Sequence, residues 1–212
     1  MKDMFHINAF WENYEQKICS NWEHIVHEED LVLVAGDISW GKRVKDALPD
    51  LDRLDRLPGQ KILLRGNHDY WWQSLKQLRE LEFQSLSFLQ NNAFVYQGVR
   101  VVGTKGALQE EEGIYRRELQ RLLLSLDFPC DQYTKTICIM HYPPIQKGGE
   151  ETAFTKVFED YQVDLCIYGH LHGDGLRDVF EGEFGGVQYL CSSADYLDFQ
   201  PRWIGEYNGK RN

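Results

Sequence analysis

The chain has 212 residues, with 23 Lys and Arg set against 33 Asp and Glu for a formal net charge of -10. Its 42% hydrophobic and 26% charged residues match ordinary globular usage and exclude a wholly disordered or collagen-like polymer. The acidic balance argues against nucleic acid, whose affinity comes from Lys and Arg neutralising phosphates, and against a polybasic membrane patch. A small phosphorylated substrate stays open, because metal ions reverse the local sign of an acidic site.

A chain of this length is expected to bury one core as a single domain, 1–212. Its opening stretch, MKDMFHINAF, has no apolar leader, and no run of about 18 apolar residues follows, so the expected location is the cytoplasm. In chain order, Phe10, Tyr14, Ile18, Trp22 and Ile25 recur at helical spacing and predict a helix over 8–28. The Val-rich run 31–35 predicts a buried strand that stops at Gly36-Asp37. Ala47, Leu48, Leu51, Leu54 and Leu57 share one side of a helix over 42–57, ended by Pro58-Gly59. A second buried strand at 61–65 runs into the loop RGNHD, with aromatic and helical residues from Tyr70 onward. Two strand-loop-helix units in succession predict neighbouring parallel strands. Further strands are expected at 93–96, 100–104, 136–140, 165–168, 175–180, 187–191 and 202–207, with helices over 115–126 and 152–161. The pattern predicts an α/β fold of two packed sheets flanked by helices, with 106–113 and 143–151 as its most mobile segments.

Five cysteines, Cys19, Cys130, Cys138, Cys166 and Cys191, are widely spaced without a CxxC pair and read as reduced thiols. Those in TICIM, DLCIYG and YLCSS are expected to be small buried hydrophobes. Of seven histidines, His68, His141, His170 and His172 stand at the ends of apolar runs beside Gly, Pro or Asp. Any one of them reads as a surface or turn residue. Together with Asp37 and Asn67 in matching positions they point instead to a site at the carboxyl ends of strands, where open α/β sheets gather ligands. His170 and His172, two apart in YGHLHG, face the same way in extended backbone. Carboxylate, imidazole and amide oxygen without thiolate suit Mn, Fe, Zn or Co, and a two-oxygen carboxylate such as Asp37 can bridge a pair of ions.

The ordered strings GDISW, GNHDYWW, HYPP, YGHLHG and SADYLDF resemble the calcineurin-like metallophosphoesterases, in particular small bacterial predicted phosphohydrolases, along nearly the whole chain. The resemblance implies a four-layer α/β/β/α sandwich of two mixed sheets, with a dinuclear metal centre at the strand ends. By that matching Asp37 bridges the ions, Asn67, His141 and His170 complete the second site, and His172 serves the first. His68 lies near the phosphoryl group as proton donor or charge stabiliser, with Asp69 as its orienting partner or a neighbouring site residue. The implied reaction is hydrolysis of a phosphomonoester or phosphodiester by attack of metal-bound hydroxide, and no GxSxG elbow or GxxxxGK[ST] loop suggests another route.

One family element has no counterpart here: the opening strand that ends in Asp-x-His. Asp3 and His6 are three apart, follow no apolar strand, and are weak substitutes. The expectation is therefore an amino-terminally shortened domain lacking its first strand, with one complete metal site and a first site reduced to Asp37 and His172. A non-catalytic or one-metal remnant, acting as a binding or regulatory protein, is the competing reading. Trp40 and Tyr70 are the best candidates for an aromatic pocket wall, Arg65 is a candidate for substrate or metal-site electrostatics or else structural, and Lys105 and Lys147 are weaker candidates for phosphate contact.

Overall fold

In the computed structural model, which describes residues 9–206, the two-residue period of each strand decides which layer its side chains join. β2 (Gln60–Leu64) is the centre of a three-stranded sheet, with β1 (Leu31–Val34) and β3 (Leu86–Leu89) parallel on either side. Ile62 and Leu64 of β2 enter the core between the sheets. Leu63 points the other way, against Ala47 and Leu51 of α2 (Val44–Arg56) and the indoles of Trp71 and Trp72.

The second sheet has six strands in the order β4–β5–β6–β7–β9–β8. β5 (Val99–Thr104), β6 (Lys135–Met140), β7 (Leu165–Tyr168) and β9 (Val187–Cys191) are mutually parallel, and β4 (Phe94–Tyr96) and β8 (Gly182–Phe184) close the edges antiparallel. Along β6, Ile137 and Ile139 face the first sheet, whereas Cys138 and Met140 face Leu122 and Leu126 of α4 (Glu112–Leu126) and Phe154 and Phe158 of α5 (Ala153–Asp160). Each such fully buried Leu, Ile or Phe stabilises the fold by about 1.5–3 kcal/mol relative to exposure. Helices, small sheet, large sheet and helices thus form the four expected layers. The small sheet is purely parallel rather than mixed, because helical crossovers through α2 and then a short helix carry the chain from β1 to β2 and from β2 to β3.

Several elements depart from expectation. The first helix is interrupted: a 3-10 turn at Ala9–Trp11 precedes α1 (Tyr14–Ile25), separated by Asn13 at φ 54. β1 is half-buried at all four positions rather than buried, since it forms the edge of its sheet; among the described residues no strand precedes it. Over 175–180 the chain forms a 3-10 helix, Gly173–Asp178, whose turn closes with Gly175 N–H donating to His172 O. The stretch 202–206 forms no strand, and residue 207 lies outside the described residues. β3, β8 and the short α3 (Leu75–Arg79) complete the fold, α3 opening on a capping box between Ser74 and Gln77. Cys138, Cys166 and Cys191 are free and buried. No helix of the described residues is long and apolar enough to cross a membrane.

Candidate metal centre

The loops after β1 and β2 carry Asp37 and Asn67, and those after β6 and β7 carry His141 and His170. The first two loops touch backbone to backbone. A Cβ at Gly66 would lie 2.0 Å from Asp37 Oδ1, so only glycine permits the approach. Asp37 and His170 both occupy left-handed backbone, at φ 57 and 72, a conformation that costs energy in a non-glycine residue and concentrates at functional sites.

Asp69 fastens these loops. Its fully buried carboxylate accepts the backbone N–H groups of Asp37 (2.9 Å), Ile38 (2.8 Å), Ser39 (3.1 Å) and Gly66 (2.7 Å), and the indole N–H of Trp71 (3.0 Å). Both oxygens are engaged by these five donors, so the expected pairing with the His68 ring does not form. Asp69 is a loop anchor, not a partner of His68. Asp37 Oδ1 adds a further tie by accepting the His68 N–H at 2.9 Å.

Three polar atoms from three strand ends then meet. His141 Nε2 is 2.6 Å from Asn67 Oδ1, His170 Nδ1 is 3.1 Å from the same oxygen, and the two ring nitrogens are 3.2 Å apart. Asp37 Oδ2 stands 3.6 Å from His141 Nε2. His141 Nδ1 lies 2.9 Å from Ala35 O and must donate to it, which leaves Nε2 as a bare lone pair. Burial pushes the His141 imidazolium below its ordinary pKa, and burial followed by repulsion from His141 lowers His170 to about 4. A neutral His141 ring thus directs a lone pair at the amide oxygen of Asn67, an arrangement that a cation between them would relieve. This donor set fits a divalent ion of the borderline class. Among the described residues, no three His, Cys, Asp or Glu side chains alone make a metal-holding group.

His172 stands apart from these three atoms. Its Nδ1 is 2.7 Å from Asp195 Oδ1, while Asp195 Oδ2 accepts the Gly173 N–H at 2.9 Å, and the ring packs edge-on against Trp11 with centroids 5.2 Å apart. Burial tends to raise the Asp195 carboxyl, but the His172 and Gly173 hydrogen bonds hold it below the ordinary carboxylate range. A carboxylate on Nδ1 fixes the ring and leaves Nε2 available to an ion. Asp195 lay within the string SADYLDF, yet nothing in the sequence assigned it this task. The ring of His68 lies 4.7 Å from Trp40 and 6.2 Å from Tyr70, while Trp71 and Trp72 are core residues. Tyr142 packs on His170 at 4.1 Å. Lys147 is exposed, and Asp3 and His6 lie outside the described residues.

Comparison with known proteins adds the following. The sequence profile of the calcineurin-like phosphoesterases matches residues 5–174. Among solved structures, phosphopantetheinyl hydrolase (PptH) from Mycobacterium tuberculosis shares the fold with a TM-score of 0.52 and 14% identity, over 81% of this chain and 82% of that one. A protein of unknown function from Aquifex aeolicus, AQ665, aligns with a TM-score of 0.48 and 18% identity over 90% of this chain and 81% of that one. No curated protein sequence matches the chain.

Proposed function

The chain belongs to the calcineurin-like phosphoesterase family, and from that membership we propose that it is a metal-dependent phosphoesterase hydrolysing a phosphomonoester or phosphodiester. The observation that carries the metal dependence is the meeting of His141 Nε2, His170 Nδ1 and Asn67 Oδ1 with no proton available between the closest pair. Asp37, Asn67, His141 and His170 would hold one divalent ion, and His172, turned by Asp195, would serve a second together with Asp37. Such ions neutralise charge developing on the phosphoryl oxygens and ionise water at neutral pH.

The remaining work falls to the chain. Asp69 keeps the Asp37 and Asn67 loops at fixed separation by collecting N–H donors from both. Ala35 O sets the tautomer of His141. His68, placed between Trp40 and Tyr70, would hand a ring proton to the leaving oxygen, with the two aromatic rings orienting the imidazole.

The test is hydrolysis of p-nitrophenyl phosphate and bis-p-nitrophenyl phosphate by the full chain after chelation, and again with Mn(II), Fe(II), Zn(II) or Co(II) restored, alongside metal analysis. At least one ion is expected to restore turnover of one ester, and Asn67→Ala to abolish both ion retention and turnover. A folded protein that binds an ion yet turns over neither ester would support the non-catalytic reading. A protein that neither binds an ion nor hydrolyses either ester contradicts the proposal.

A further inference from the structure

Beside the metal centre, at the carboxyl ends of β2, β3 and β5, the two sheets enclose a cavity of about 330 Å³. Its wall includes Arg65, Lys105 and Arg121, against a single carboxylate, Glu118. Glu118 is buried and committed: it accepts Thr104 Oγ1–H at 2.6 Å and pairs with Arg121 at 2.7 Å. Among the described residues, neither Arg65 nor Lys105 forms an ion pair, and Arg65 Nε is buried without a hydrogen-bond partner. Burial outweighs the attraction of Glu118 and, with Arg65 and Arg121 adding repulsion, holds the Lys105 ammonium below its ordinary pKa. Two cations without a direct ion-pair partner among the described residues therefore line one half-buried space in a chain whose net charge is -10. Glu118 and Glu111 act on the Lys105 charge without forming an ion pair with it, so three cations still line the cavity against its one carboxylate, and an anion entering there would lower the cost of holding them together.

The lining of the cavity is tied to the site. Arg65 sits two residues before Asn67 on the same loop, and Lys105 O accepts the N–H of Tyr142, whose ring packs on His170. The Lys105 ammonium lies 5.4 Å from the centroid of that same Tyr142 ring. Trp72 supplies an apolar wall, its indole N–H held by Gln90, and Gln90 itself lines the cavity.

We propose that this cavity is an anion subsite, formed by Arg65, Lys105 and Arg121, which receives a second phosphate or carboxylate group on the ester cleaved at the metal centre. The substrate class is thus a phosphoester with two anionic groups, one at the metals and one in the cavity between the sheets. This rests on the phosphoesterase reading only for which end is cleaved. The subsite itself stands on the unpaired cations. Arg121 is the poorer residue to alter, since its loss would leave Glu118 buried and unpaired, and Lys105 is the sharper probe.

Titration calorimetry of inorganic phosphate, and separately of acetate, into the full chain tests the subsite, with Mn(II) present and again after chelation. A phosphate-binding component that survives chelation, weakens with added salt, falls roughly 10-fold or more in Lys105→Ala and is kept in Lys105→Arg is the expected result. Parallel binding of acetate would assign the second group to a carboxylate, and its absence to a phosphate. Matched thermal unfolding of the two variants shows that both are folded. Phosphate affinity after chelation that is absent in the wild-type chain, or equal in Lys105→Ala, overturns the inference, even where p-nitrophenyl phosphate is hydrolysed. Conversely, an intact Lys105-dependent component in a chain that hydrolyses nothing leaves the subsite standing and removes the phosphoesterase reading.

Discussion

His68 and Asp69 are adjacent in GNHD, and the structure gives them opposite surroundings. Asp69 is fully buried and closed by five donors, whereas the His68 ring stands in an aromatic niche at the site. The sequence made both look catalytic because adjacency in a loop says nothing about which way consecutive side chains turn. His68→Ala is expected to lower turnover by roughly 10²- to 10⁴-fold with metal content retained, the range of a positioned proton donor. Turnover equal to the wild-type value in matched assays would remove His68 from the chemistry. The ligand set was legible for a different reason: Asp37, Asn67, His141 and His170 each end an apolar run, and a polar residue stranded there has few structural uses. Asp195 was not legible, since its task depends on a contact with His172 made across 23 residues of sequence.

Between elements, the junction of α2, β2 and β3 shows how the small sheet is held. Lys61, buried at the start of β2, donates to Leu57 O at the end of α2 and to Ser85 Oγ (2.8 Å) before β3. Asp55, near the end of α2, accepts Ser85 N–H (2.7 Å), Ser85 Oγ–H (2.7 Å) and Gln84 N–H (3.1 Å). Burial alone would raise the Asp55 carboxyl, but the Ser85 and Gln84 hydrogen bonds outweigh it and hold the pKa below the ordinary value. A carboxyl with a lowered folded pKa contributes stability that is complete above the unfolded value, near about 3.9, and is lost as pH falls through the folded value. Urea unfolding of Asp55→Asn at pH 7 is therefore expected to show a small loss, below about 1 kcal/mol because water screens the partly exposed carboxylate, a deficit that narrows only below about pH 4. A deficit that stays constant down to pH 2.5 would contradict the assignment.

Strands with continuous apolar runs, such as β2, β6 and β7, were plain in the sequence because both of their faces are covered by other layers. β3 was missed because its four residues sit among scattered apolar positions that suit helix or strand alike. The β8–β9 hairpin carried a usable signal that went unread: Gly185 and Gly186, at φ 58 and 77, make the tight turn between them. The strand expected at 175–180 failed because its apolar residues are covered from one side only, and local hydrogen bonds close the segment into a 3-10 turn instead.

At the scale of the molecule, the site exists only where the two sheets meet. The small sheet contributes Asp37 and Asn67, the large one His141 and His170, and residues 67 and 141 belong to different sheets yet approach to 2.6 Å. The shared core of Ile62, Leu64, Ile137, Ile139 and Ile167 sets that spacing, so the centre depends on apolar packing as much as on its ligands. The sequence announced the two-sheet sandwich through its strand ends, but the parallel order of the small sheet and the cationic cavity beside the centre needed the packed layers to appear. Anomalous diffraction from crystals of the full chain soaked in Mn(II) probes this convergence most directly. A peak enclosed by Asp37, Asn67, His141 and His170, lost in crystals of His141→Ala, is the predicted result. Ordered side chains at these four positions with no peak between them, under Mn(II) sufficient to occupy other sites, would contradict it.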